Sequence, residues 1–274
     1  MSLQNPLLAA FAEQVRKRYL PDQPETFWTC EPLFRHLADP SFSERMINDT
    51  LRALTLDPHH SGDWPGEQIV LARKPDWTLS LHRIEVASRY IHSTPANLLI
   101  APLGGLPLTG DLYDLPSGYD NAVFDPSLRL DHAGSFTLHD HEVLAIRADR
   151  NAVDLRVDRP LMLLKLATAP LQPLEWLFSK ETLHPWQAND ADASMTNLRI
   201  STHVLGRLAH QSSLEPVKAL VTHPNPSIRM AAVHPISRRS GTGYPGCSVS
   251  PPWAPISTRI FVTWWSGASP GARR

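Results

Sequence analysis

The feature that most constrains this chain is a change of hydrophobic period. From Gln68 to about Thr168 apolar residues recur at every second position, and clusters of turn-forming residues separate short runs of them. Trp77, Leu79 and Leu81 alternate with Thr78, Ser80 and His82, and Val153, Leu155 and Val157 alternate with Asp154, Arg156 and Asp158. Side chains on a strand point alternately to opposite faces, so this pattern predicts half-buried strands. Further strands are expected at Gln68 to Ala72, Asn97 to Ala101, Phe136 to Leu138, Val143 to Arg147 and Leu161 to Ala167. Many short strands without intervening helical pattern indicate an antiparallel sandwich or barrel.

Helical patterns flank this region. Asn5 and Pro6 form a cap and first-turn pair ahead of Leu7, Leu8, Phe11, Val15 and Tyr19, which predicts a helix ending near Leu20. Pro21, Pro24 and Pro32 are expected to break the next stretch of chain. Ser41 to Glu44 fits a capping box for a second helix, whose buried stripe would be Met46, Ile47, Leu51 and Leu54. A boundary is placed near residue 60, within the turn-rich DPHHSGDWPG. After Pro173 a helical pattern returns, with Met195, Leu198, Val204, Leu205 and Leu208 on one face and a short helix at Leu214 to Val221. The expected organisation is therefore residues 1–60 as a helical segment, 61–172 as the β domain, 173–235 as a helical segment and 236–274 as an irregular basic tail.

Composition narrows the function classes. Formal charge is −1 over 274 residues, so whole-chain basicity does not argue for nucleic acid. No acid occurs after Glu215, while Lys218, Arg229, Arg238, Arg239, Arg259, Arg273 and Arg274 do. In that tail Arg238 and Arg239 with Trp253, Trp264 and Trp265 offer phosphate contacts and stacking platforms, but the charge is too dilute to favour a single-stranded nucleic-acid partner. The abrupt break in composition suggests that a frameshift or recombination replaced the rest of a repeat array; a native surface tail is the other reading. Cys30 and Cys247 are the two cysteines and supply neither a disulfide framework nor a thiolate metal site. No signal-like leader and no run of eighteen apolar residues is present, so the expectation is a soluble, cytoplasmic protein without a membrane partner.

Two stretches resemble known families. His139-Asp140-His141-Glu142, within SFTLHDHEVLAIR, would place both imidazoles on one face if extended, and is similar to the first motif of cupins, small β-barrels that carry His-x-His with a later Glu and His. The resemblance implies a cupin-like barrel in an α+β chain, and a mononuclear site with His139, His141 and Glu142 as ligands and His82 or His92 as a further donor. Such a set would suit iron, manganese, nickel or zinc. In cupins the Glu usually lies several residues beyond the second His; here Glu142 is adjacent and alternation aims it away. A solvated hairpin tip is the competing reading of the same residues. The second stretch, THPNPSIRMAAV, with Ile228-Arg229-x-Ala231-Ala232 after a Pro-containing turn, resembles the second-helix start of a HEAT repeat, over Arg207 to Val233. Arg229 is expected to bridge the two short helices.

Other motifs speak for structure rather than chemistry. His59-His60 reads as a loop, Pro102 to Gly110 lacks the Lys-Ser/Thr of a phosphate loop, and no G-x-S-x-G elbow occurs. Cys30 and His36 read as a packed pair rather than a dyad, Tyr90, Tyr113 and Tyr119 as core or pocket wall, and Lys180, Glu181 and His184 as a domain joint. The functional expectation is a non-catalytic module that binds a small molecule or a protein partner, able to form a homodimer; the alternative is a metal-dependent dioxygenase or isomerase of cupin type using His139 and His141.

Overall fold

The structure, a computed structural model, describes residues 6–56, 68–208, 211–223, 225 and 228–233. It is α+β, with helices before and after two antiparallel sheets. The side chains of Met46, Ile47, Leu51 and Leu54, expected to be buried, are not described, and the His59-His60 pair, the boundary near residue 60 and the tail from 236 lie outside the described residues.

Eleven strands build the sheets: β1 (Gln68–Arg73), β2 (Trp77–Ile84), β3 (Tyr90–Ser93), β4 (Leu98–Leu103), β5 (Leu108–Asp114), β6 (Asp131–Leu138), β7 (Leu144–Ile146), β8 (Asn151–Arg156), β9 (Leu161–Thr168), β10 (Leu174–Ser179) and β11 (Pro185–Asp190). One sheet has the order β1-β2-β9-β4-β7 and the other β11-β10-β3-β8-β5-β6. Without the outer strands β1, β10 and β11, two four-stranded sheets remain, β2-β9-β4-β7 and β3-β8-β5-β6, between which the chain passes repeatedly. That order is a double-sheet jelly roll, the arrangement cupins share, so the cupin-like fold rests on connectivity.

The first sheet is covered by helices. In α1 (Pro6–Arg18) Leu8, Phe11, Ala12 and Val15 form the buried face, and Arg16, Lys17 and Arg18 complement the negative C-terminal end. Phe11 meets Trp77 edge to face with ring centroids 6.0 Å apart. Residues Pro24–Cys30 form a 3-10 turn that runs into α2 (Glu31–Leu37), whose Phe34 and Leu37 are also buried. Sequence reading takes Pro24 and Pro32 as breakers. Both occupy first-turn positions, where the missing N–H has no helical partner to lose, and so they start helices instead. Next comes α3 (Pro40–Leu56); Asp39, not Ser41, caps it, accepting the Ser41 N–H at 2.8 Å. These helices and Leu79, Leu81, Leu99, Ala101, Leu103, Leu164 and Leu166 share one apolar cluster, which fixes the helix-covered face of the sheet.

The second sheet carries its own cluster, in which Ile91, Tyr113, Ala152, Trp176 and Phe178 pack under the Leu115 to Leu130 connection. Two strands continue to Asp190 where sequence reading expects helix after Pro173. β10 is held by pairing with β3, Leu177 opposite His92, a contact no local period announces. The chain then divides, the unit just described extending through Asn189 and a second beginning at Asp190. The second unit contains α4 (Ala193–Leu208) and α5 (Leu214–Ala219). There Arg229 donates from Nη1 to the His223 carbonyl at 2.9 Å, and Ile228 and Ala232 are fully buried. No helix among the described residues is long and apolar enough to cross a membrane.

Candidate functional site

Register decides which side chains face the space between the sheets. On β9, Leu164 and Leu166 belong to the helix-covered cluster, so Leu163 and Lys165 project the other way. Lys165 pairs with Ser80 of β2 on one side and with Ile100 of β4 on the other, and His82 stands opposite Leu163. Ser80, His82 and Lys165 therefore share the inner face of the first sheet. On the second sheet, Ile91, Trp176 and Phe178 lie in the outer cluster, which leaves His92, Glu175 and Leu177 facing inward, with Val153 of β8 opposite His92 and Leu112 of β5 opposite Val153. The lumen is thus apolar, with one polar group of side chains on each wall.

The polar groups of the two walls are mutually organised. His82 Nε2 lies 3.1 Å from Ser80 Oγ, and burial holds its imidazole well below the ordinary histidine pKa, with Lys165's positive charge acting in the same direction. Burial likewise pushes the Lys165 amine down to about 7, against the upward pull of the Glu175 carboxylate. Lys165 is nonetheless only half-buried as a residue, as befits a group lining a wall. On the facing sheet His92 Nδ1 lies 2.8 Å from Glu175 Oε1, and His92 Nε2 lies 2.7 Å from Ser88 Oγ on the β2–β3 connection. The Tyr90 N–H donates to the same Ser88 oxygen at 3.1 Å. An ionised carboxylate only accepts, so the Nδ1 proton is directed to Glu175, which leaves Nε2 of the neutral ring to accept from the Ser88 hydroxyl.

His139, His141 and Glu142 lie elsewhere. β6 and β7 belong to different sheets, so the segment between them is a crossover turn rather than a hairpin tip. It is exposed and tightly tied: the Glu142 N–H donates to the His139 carbonyl at 3.0 Å, and the His139 N–H to Glu142 Oε2 at 2.7 Å. His141 adopts φ 70°, a left-handed conformation that histidine enters more readily than most residues. Gly105 N–H donates to Asp140 Oδ1 at 3.2 Å, and Arg35 Nη1 to the His141 carbonyl at 3.2 Å. Glu142 and Asp140 thus close and anchor the turn. His82 and His92 stand on the inner faces of opposite sheets. Among the described residues no three His, Cys, Asp or Glu side chains converge to hold an ion, and the described donors bring no third ligand to His139 and His141.

The remaining sequence candidates separate in the same way. Cys30 is buried and its thiol is raised to about 11 by desolvation, whereas His36 is exposed, so the two form no dyad. Tyr113 and Tyr119 pack in the outer cluster, and Tyr90 stacks on Trp186 at 6.3 Å. Lys180 is paired with Asp154 at 2.6 Å, and Asp111 accepts from Ser135 at 2.5 Å and pairs with Arg156, which ties the outer face of the second sheet together. Sequence reading missed Lys165, Ser88 and Glu175. For Lys165 a signal existed, a single lysine inside the apolar run LMLLKLATA; for Ser88 and Glu175 none did.

No protein-family model matches the chain, and no curated protein does. Among solved structures it is similar to hydroquinone 1,2-dioxygenase from Sphingomonas sp. TTNP3, with 14% identity over 38% of this chain and 66% of that one and a TM-score of 0.31. It is similar also to the cupin domain of Schizosaccharomyces pombe Cnp3, with 8% identity over 38% of this chain and 65% of that one and a TM-score of 0.25. A cupin-superfamily protein from Desulfitobacterium hafniense shows 15% identity over 37% and 74% of the two chains and a TM-score of 0.25. The match thus spans about two thirds of the dioxygenase. At such values the fold rests on the strand order and the chemistry on the side chains.

Proposed function

We propose that this chain is a small-molecule-binding module whose ligand occupies the lumen between the two sheets. The observation that carries the reading is the polar group on an otherwise apolar lumen wall, where Lys165 stands beside Ser80 and His82 with the Glu175 carboxylate near enough to act on its amine. A few polar groups set into an apolar wall fix the orientation of a ligand's polar head while its body is buried against the aliphatic side chains. The matching chemistry is a small organic molecule with an apolar body and an acceptor or acidic head, which a mostly apolar pocket with few polar groups orients. In the same reading the helical unit from Asp190, with its HEAT-like Ile228 to Ala232 stretch, is available for a protein partner.

The test is the thermal shift of the full chain with hexanoate, benzoate and phenol as probes. At least one should raise Tm, because a ligand that binds only the folded state stabilises it by mass action. The rise should shrink in Lys165→Met and vanish in Val153→Trp, which fills the lumen. No rise with any probe, or a rise unchanged in both variants, would refute the reading.

A further inference from the structure

Ser88, His92 and Glu175 stand in the order of a nucleophile, a general base and the carboxylate that orients the base. Ser88 Oγ is 2.7 Å from His92 Nε2, and His92 Nδ1 is 2.8 Å from Glu175 Oε1. Both contacts lie within hydrogen-bond reach, and they use opposite nitrogens of one ring, the defining requirement of a serine triad, which is recognised by geometry rather than by chain order or fold. The Tyr90 N–H bond to Ser88 Oγ anchors the hydroxyl oxygen, and the Glu175 carboxylate, which takes the Nδ1 proton, leaves Nε2 to accept from it. Burial adds to the assignment. His92 and Glu175 are almost wholly enclosed, so the imidazole is held in one orientation, while Ser88 retains accessible surface through which a substrate reaches its oxygen.

We infer that Ser88 is a nucleophile for acyl transfer, with His92 as its general base and Glu175 holding His92, and that the chain hydrolyses small esters. In the first half-reaction Ser88 Oγ forms a bond to the ester carbonyl carbon while its proton passes to His92 Nε2. The bond to the leaving oxygen then breaks and that oxygen takes the proton from Nε2, which leaves an acylated Ser88 and a free alcohol. In the second half water attacks the acyl carbon and gives its proton to Nε2. The Ser88–acyl bond breaks, Oγ recovers the proton, and the sum is ester plus water giving acid plus alcohol. Tyr90, whose N–H anchors Ser88, stacks with the exposed Trp186 at 6.3 Å and 17° between ring planes. With Tyr90 two residues along the chain from Ser88, this flat aromatic pair favours aryl esters over alkyl ones. The inference does not depend on a ligand in the lumen.

The experiment combines a fluorophosphonate probe with 4-nitrophenyl acetate hydrolysis, both on the full chain. The probe should add one phosphonyl group, mapped by peptide mass to Ser88, and hydrolysis should show a burst of nitrophenol before a slower steady rate. Ser88→Ala should abolish both, and His92→Gln should slow acylation by about 10²- to 10⁴-fold, the usual contribution of a general base. Ser88→Cys guards against a folding defect: it keeps the hydrogen-bonding site and transfers the reactivity to a thiol that iodoacetamide labels faster with His92 present than in the Ser88→Cys/His92→Gln double variant. A hydrolysis rate unchanged in Ser88→Ala, a probe that labels other residues only, or a Ser88→Cys thiol indifferent to His92 overturns the inference. Lumen binding in the thermal-shift test would stand in that event, because it reads Lys165 and Val153 and not Ser88.

Discussion

Replacing Lys165 by methionine keeps the length of the side chain and removes its charge, and the structure sets both the size and the pH window of the effect. The amine goes from an ordinary 10.5 in the unfolded chain to about 7 in the folded one. At about 1.4 kcal/mol per tenfold change, that is a cost of roughly 5 kcal/mol against the charged form as an upper limit. The cost is complete below pH 7, where both states carry the proton. Between 7 and 10.5 the unfolded chain binds more protons than the folded one, so folding stability rises with pH, and above 10.5 the cost is gone. Lys165→Met should therefore be more stable than the parent by several kcal/mol at pH 6, and the gap should narrow by about 3 kcal/mol by pH 9. His82 is uncharged in the folded protein across this window, so it adds nothing to the difference. Urea unfolding of both proteins at pH 6, 7.5 and 9 measures it; with an m-value of about 3 kcal/mol/M, the gap in midpoint should close by about 1 M. A difference that is constant with pH, or a variant less stable than the parent throughout, would show that the ammonium is well compensated where it sits and would remove the physical basis for a desolvated lumen amine.

His82 and Gly110 carry two further expectations. His82 has its pKa depressed by burial, so its contribution is present above the unfolded value of about 6.5 and is lost as pH falls below it; His82→Leu should weaken the fall in stability below pH 6.5, measured by urea unfolding, and an identical acid limb would refute the assignment. At Gly110 an added Cβ would meet the Asp154 carbonyl oxygen at 2.4 Å and Phe136 Cζ at 2.6 Å, and backbone cannot yield as a side-chain tip can, so Gly110→Ala should destabilise by roughly 2–3 kcal/mol, seen as a fall in Tm. An unchanged Tm would place β5 in a different register against β6 and β8.

How far the sequence reached is visible strand by strand. β1, β2, β4, β8 and β9 alternate cleanly or are apolar almost throughout, so burial wrote their pattern into the residues. β3 is four residues long, and β5 opens in a glycine-rich stretch and carries Asp111, whose carboxylate is tolerated because Ser135 and Arg156 of neighbouring strands satisfy it. β11 reads PWQAND, with proline and polar residues that no period would select. The turn His139 to Glu142 looked like a ligand set because two histidines alternate; its carboxylates are spent on backbone N–H groups, a use that spacing does not reveal.

By itself the sequence determined that an antiparallel β domain, a sandwich or a barrel, would form and that helices would flank it, because alternation and turn chemistry are local consequences of burying one face. The order of the strands, and with it the lumen, belonged to the tertiary structure alone. Ser88 and His92 lie more than eighty residues from Glu175, and Lys165 meets Ser80 only because β9 inserts between β2 and β4. Hydrogen bonds and desolvation act over a few ångströms of space, and separation along a chain carries no record of them until strand pairing has folded it.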